Sequence, residues 1–293
     1  MNNDVIIDGS YFIYYNLFSA INEYVKREND PLGDSSYKLS EVEPFLDILY
    51  KKIYSRLKYF TSKFGEYDID ETNYRIWFPL DCKLKNNWRI DLYPEYKAKR
   101  DIKKTEMKFN ISDAFKSAVD IISAPIIKDV FNIHILQSKR AEGDDIIYVL
   151  SKKLEGKILL LASDYDFVQL GDNVHQINLT YDDVSCEKFC GEKLSPKKYI
   201  LVKALMGDNA DEIPGIYSGC GKKTALKLSN NRKLLEAKFE KYENAKNILT
   251  RNIKLMGFEH IPKLILEEIE KDCFTEDDKG NLKLVEEDEL MAL

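Results

Sequence analysis

Short apolar runs and longer periodic stretches alternate along most of the chain. The run DVIID at residues 4–8 predicts a short buried strand, and an aromatic-rich helical stretch follows it. Pro, Gly, Asp and Ser mark residues 27–36 as a loop. A long amphipathic pattern from Glu41 to Lys63 predicts a helix, and YRIWFPLD (74–81) a second strand. Residues 111–122 predict a helix stopped by Pro125, residues 132–137 a strand, and residues 142–154 a helix with an acidic first turn. KILLLAS (157–163) predicts a buried strand, and VHQINL (174–179) an alternating one. From Ser195 onward every periodic stretch is helical, and no internal repeat is present. Strands alternating with helices indicate an α/β fold with a mostly parallel central sheet flanked by helices, and further helices gathered toward the carboxyl end.

The 293 residues are 44% hydrophobic, ample for a packed core. The first residues carry Asp4 and Asp8 where a secretory signal needs positive charge, and no apolar run approaches the roughly 18 residues of a spanning helix. The expectation is a cytoplasmic or host-cell intracellular monomer without membrane contact, a nuclear location being left open. Cys82, Cys186, Cys190, Cys220 and Cys273 lack a framework spacing, so free thiols are expected; Cys186 and Cys190 make only half a zinc site. His134, His175 and His260 stand in no motif and no G-x-S-x-G occurs, which argues against catalysis by histidine or a serine triad.

The acids carry the chemistry. The first strand ends at Asp8, the second at Asp81, and LLLASDYD at Asp164 and Asp166. Sites in open α/β sheets form at the carboxyl ends of strands, so three strands deliver carboxylates to one edge. Glu142, Asp144 and Asp145 open a helix, and Asp208 and Asp211 lie in MGDNADEIPG. Each acid alone would serve as a turn or cap residue, but cap roles would not recur at successive strand ends. Crowded carboxylates repel unless a cation neutralises them. All-oxygen donors point to Mg²⁺, with Mn²⁺ substituting, and so many acids suggest two ions roughly 4 Å apart, the arrangement that hydrolyses phosphodiesters.

The net charge of -6 hides a local reversal. Nine cations between Lys83 and Lys108 face four acids, whereas the last residues are strongly acidic. Within the basic stretch, Trp88, Tyr93 and Tyr96 interleave with Lys83, Arg89, Lys97, Arg100, Lys103 and Lys104, the makeup of a single-strand binding path. Lys97 and Arg100 would lie one helical turn apart and bring charge to a scissile phosphate. PGIYSGCGKKTALKL is not a P-loop: five residues separate Gly215 from Gly221, and Lys222 is followed by Lys223. It predicts two tight turns between helices, with Gly219 and Gly221 admitting a DNA phosphate and Lys222, Lys223 and Thr224 opening the next helix.

Taken together, IIDGS, WFPLDC, YPEYKAKRD, AEGDD, LLLASDYDFVQL and LMGDNADEIPGIYSGCGKKTALKL resemble the flap endonuclease and 5′ to 3′ exonuclease family, closest to its compact phage-encoded branch. The resemblance covers residues from about 4 to 228. It implies a PIN-like 5′-nuclease fold with a helical arch, and a helix-two-turn-helix motif. On it, residues 1–190 would be the nuclease core with the arch at about 82–124, residues 191–272 a helical DNA-binding region with the motif at about 195–230, and residues 273–293 an acidic tail. It further implies Asp8, Asp81, Glu142, Asp144, Asp145, Asp164, Asp166, Asp208 and Asp211 as metal ligands, Lys97 and Arg100 as catalytic cations, and Tyr96 as a base-contacting aromatic. Gly219, Gly221, Lys222 and Lys223 would grip duplex backbone, where the family often holds K⁺. Gly143 departs from the family's usual alanine, and no clamp-binding peptide of the eukaryotic type is present at the carboxyl end.

The expected activity is Mg²⁺-dependent, structure-specific cleavage at 5′ flaps, nicks or single-stranded 5′ ends of DNA, or of an RNA-DNA hybrid, in primer or flap removal during replication and repair. A related metal-dependent ribonuclease would share the acids, but the basic arch speaks against it. A non-catalytic DNA-junction-binding protein would not need the acids at all.

Overall fold

In the computed structural model, residues 3–184, 191–276 and 282–284 are described. Five strands, β1 (Asp4–Ile7), β2 (Arg75–Leu80), β3 (Ile133–Gln137), β4 (Ile158–Leu161) and β5 (Val174–Ile177), form a wholly parallel sheet in the order β3-β2-β1-β4-β5. Both faces are covered, which is why Val5, Ile6 and Ile7 of β1 and all of β4 are continuous apolar runs. Side chains alternate across the sheet. Val5, Ile7, Phe78 and Leu161 enter one core, while Ile6, Trp77, Leu136 and Leu160 enter the other.

Helices α1 (Gly9–Glu28) and α2 (Glu43–Thr61) cover the first face. The basic stretch forms two short helices, α3 (Trp88–Leu92) and α4 (Lys99–Thr105), before α5 (Ile111–Ser123) and α6 (Pro125–Lys128). Although the arch was expected to extend to about residue 124, α5 buries Ala114, Ala118 and Ile122 in the core it shares with α1 and α2. The segment standing clear of the core is therefore shorter, and α4 buries none of its residues. Helix α7 (Gly143–Lys153) packs Ile146, Ile147 and Leu150 against the second face.

Past β5, α8 (Pro196–Met206), α9 (Lys222–Ser229), α10 (Arg232–Lys241) and α11 (Ala245–Met256) enclose a third apolar cluster, and α12 (Lys263–Cys273) returns to the sheet beside α7. Two pairings were not foreseen: the short ladder of β6 (Gly207–Asp208) with β7 (Ile213–Pro214), and the hairpin of β8 (Phe274–Glu276) with β9 (Leu282–Leu284). Cys82, Cys220 and Cys273 are free thiols. Cys186, Cys190 and most of the acidic tail lie outside the described residues. No described helix is long and apolar enough to cross a membrane.

Candidate active site

The strand order places the topological switch between β1 and β4, where a crevice opens at the carboxyl edge. Asp8 follows β1 directly and caps α1, its Oδ1 accepting from the Tyr11 amide at 3.0 Å. A Cβ on Gly9 would meet the Pro79 carbonyl oxygen at 2.4 Å, so only glycine lets α1 start this close to β2. Asp81 ends β2 and accepts from Ser10 Oγ at 2.9 Å and from the Gly143 amide at 2.8 Å. Glutamines on the flanking strands fix the acid-bearing ends: Gln137 donates to the Asp81 carbonyl and Gln176 to that of Asp164, each at 2.8 Å.

Asp8, Asp81, Glu142, Asp144, Asp164, Asp166, Asp208 and Asp211 line one cavity of about 280 Å³. Burial, then Asp81 and Asp164, raises the Asp8 carboxyl to about 7. Asp144 is pushed well above the carboxylate range by burial and then by Asp8, Asp164 and Asp81. Asp164 reaches solvent through the cavity, yet the surrounding protein displaces bulk water; this and Asp166 raise it to about 6 against the pull of Lys203. The group is thus a store of mutual repulsion.

Glu142 behaves oppositely. Burial would raise it, but Lys97 and then Arg89 hold it at about 2. Lys97 Nζ meets Glu142 Oε1 at 2.5 Å, and the Tyr96 hydroxyl donates to Oε2 at 2.9 Å. Arg100 donates to Asp211 at 3.0 Å. Lys97 stands outside the helix expected for it, with φ 56°, in the left-handed region that a lysine seldom adopts. Its amide bonds the Asp211 carbonyl at 3.0 Å, which ties the start of α4 to the acidic loop after α8.

Three expected residues are placed differently. Asp145 does not line the cavity; fully buried, it takes both Arg89 Nη atoms at 2.8 and 2.7 Å and Trp88 Nε1 at 3.0 Å. Arg89 is correspondingly 4% exposed, with its Nε on the Leu255 carbonyl, so it is a buried ion-pair partner and not a surface contact for nucleic acid. Tyr96, 3% exposed, offers no face for stacking a base. Lys83 and Lys103 are exposed and Lys104 is half-buried beside Asp101. Gly219 (φ 88°) and Gly221 form the turn before α9, with Lys222 and Lys223 exposed and Thr224 half-buried.

Sequence reasoning passed over Ser10, Tyr199 and Lys203. Tyr199 and Lys203 sit one turn apart on α8 and both donate to Asp166, while Lys203 also pairs with Asp208 at 3.1 Å. Their i, i+4 spacing just ahead of Asp208 was the available signal.

Among the described residues no three acidic, His or Cys side chains are drawn close enough to hold an ion as they stand. Asp8, Asp81, Glu142 and Asp166 are turned onto amide, hydroxyl or cationic partners instead. The donor chemistry still fits a hard divalent cation: carboxylate oxygens alone, several with proton affinities raised by burial and then by one another, around a cavity that admits solvent.

Over residues 4–198 the sequence matches the family described as 5′-3′ exonuclease, N-terminal resolvase-like domain. It is 30% identical over 270 residues to a 5′-3′ exonuclease of Buchnera aphidicola subsp. Schizaphis graminum, covering 87% of this chain and 82% of the relative. To the 5′-3′ exonuclease of Aquifex aeolicus it is 27% identical, over 83% of this chain and 71% of that one. Among solved structures, the bacteriophage T5 5′-exonuclease with divalent metal ions (zinc) bound superposes with a TM-score of 0.60 at 18% identity, covering 92% of this chain and 98% of that one. A T5 flap endonuclease complex with DNA and metal ions gives 0.57 at 17% identity, over 92% and 97%. At that identity the likeness is one of fold, and it is the fold the sequence predicted.

Proposed function

Because the chain belongs to the 5′-3′ exonuclease family, we propose that it is a Mg²⁺-dependent, structure-specific 5′-nuclease acting on flaps, nicks or single-stranded 5′ ends of DNA. The observation that carries this reading is the convergence of eight carboxylates on one cavity whose lining also includes Lys97 and Arg100. Asp8, Asp81, Glu142, Asp144, Asp164, Asp166, Asp208 and Asp211 would hold the divalent ions, directly or through water. When bound, these ions lower the pKa of an attacking water and neutralise the departing oxygen. Lys97 and Arg100 bring positive charge to the scissile phosphate, and Lys97 exchanges Glu142 for it as substrate arrives. Lys203 orients Asp166 and Asp208 and holds the Asp208 carboxyl below the usual carboxylate range. The products carry a 5′-phosphate and a 3′-hydroxyl.

In the same reading residues 1–190 form the nuclease core and residues 191–272 the DNA-binding region. The turns around Gly219 and Gly221 between α8 and α9 grip duplex backbone, with K⁺ at the motif. Primer or flap removal in replication and repair is the corresponding role, and an RNA-DNA hybrid is an alternative substrate.

The test is a 5′-flap duplex labelled at the 3′ end of the flap strand, incubated with Mg²⁺ or with EDTA. Metal-dependent cuts near the junction are expected; tight binding without cleavage in Mg²⁺ or Mn²⁺ would sink the reading. Asp164→Asn should abolish cleavage and spare DNA binding. Lys97→Ala should lower the single-turnover rate by about 10²-fold or more with little change in binding, and an unchanged rate would remove Lys97 from the mechanism.

A further inference from the structure

A second cavity, of about 450 Å³, lies between α1 and α2. Ser10, Tyr11 and Tyr14 of α1 face the carboxylate cavity, whereas Asn16, Ser19, Glu23 and Arg27 face this one. At 100° per residue these are opposite flanks of one helix, separated by about 10–12 Å of helix diameter. The second cavity carries the opposite charge. Arg27, Lys51, Lys52 and Arg56 line it against Glu23, which Lys52 and Arg27 share at 2.8 and 3.6 Å; Lys51 also meets Asp47 at 2.6 Å. Four cations facing two acids leave an excess of positive charge in a chain whose net charge is -6.

Its other groups suit a nucleic-acid strand. Tyr59 is 51% exposed in its wall, and Tyr15, 39% exposed at its edge, lies under the Arg56 guanidinium at 4.7 Å. The Tyr181 ring lines the same wall beside Arg56. The two cavities are also joined. Arg56 donates to the Leu179 carbonyl at 3.1 Å, and the Leu179 amide donates to the hydroxyl of Tyr11, a residue of the carboxylate cavity.

We propose that this groove holds the phosphodiester backbone of the substrate strand where it leaves the carboxylate cavity and crosses the exposed face of α1. Arg56 and Lys51 pair with phosphates, and Tyr59 offers its ring to a base. The proposal rests on the nuclease reading and adds a second binding surface to it.

The experiment measures fluorescence anisotropy of labelled flap duplexes of graded length in EDTA across a range of NaCl. It compares the wild type with Lys51→Gln/Arg56→Gln and with Lys51→Gln alone. Arg56 also anchors Leu179, so thermal midpoints are recorded in parallel, and the single variant keeps the test valid should the double variant misfold. On long substrates the dependence of log K on log salt should flatten by about 0.7 to 0.9 for each phosphate that the variant no longer neutralises, and the difference should vanish once the substrate is too short to reach α2. Identical slopes at every length overturn the proposal. So does a mononucleotide or inorganic phosphate that competes without any dependence on substrate length. A wild type that fails to cut in Mg²⁺ removes the nuclease reading; one that cuts, with coincident slopes, removes only the groove.

Discussion

Asp144 and Asp145 are neighbours at the start of α7 with opposite fates. Asp144 lines the cavity among like charges, while Asp145 turns inward to Arg89. A buried, bidentate pair of this kind leaves an uncompensated charge when one partner is removed. Arg89→Ala or Asp145→Ala should therefore destabilise the fold by about 3–5 kcal/mol in urea unfolding. Losses below about 1 kcal/mol would show that the pair is not holding α3 against α7. The cavity acids carry the reverse sign. Asp8 and Asp164, raised to about 7 and about 6, bind their protons more tightly in the folded chain than in the unfolded one. The stability they contribute is present at acid pH and lost as pH rises through those values. With chelator present, the thermal midpoint should fall between about pH 5 and 8, and Mg²⁺ should restore it at the upper end. A midpoint that rises over that window would contradict the clustering. The sequence showed which residues were acidic and where strands would end. Which of two adjacent carboxylates faces the cavity depends on Arg89, brought by α3 from more than fifty positions away in the chain, and no local pattern carries that.

At the scale of elements, periodicity located all five strands of the main sheet and the long helices, because a doubly covered strand must be continuously apolar and a surface helix must not be. Two features escaped it. Residues 111–123 follow a basic stretch and were grouped with it, yet their apolar face belongs to the core of α1 and α2. The left-handed turn at Lys97 was invisible because nothing in YPEYKAKRD announces a positive φ at a lysine; tertiary ties to Asp211 and Glu142 hold it there. Gly9 is a point of close approach between α1 and β2. Gly9→Ala should cost about 1–3 kcal/mol in unfolding free energy and weaken divalent-ion binding, since α1 must move off β2 and take Asp8 with it. Wild-type stability in that variant would mean that the crowding relaxes freely.

For the whole molecule, the rule that sites form at the carboxyl ends of parallel strands was enough to gather acids from distant stretches of sequence, and eight of the nine expected carboxylates line one cavity. The cationic partners of that cavity, Lys203 above all, were less legible because an isolated lysine on a helix has many ordinary uses. The strand order also bears on how the protein is made. Strand β1 is the centre of the sheet and the first to leave the ribosome, but Val5 pairs with Leu159, which is synthesised about 150 residues later. Until then one edge of a strand with three consecutive apolar residues lacks its neighbour, a state prone to aggregation and dependent on shielding. Asp8 is likewise made well before Asp164, Lys203 and Asp208. A chain not yet extended past Asp211 therefore has no complete cavity, and the chemistry that the cavity serves waits for that residue.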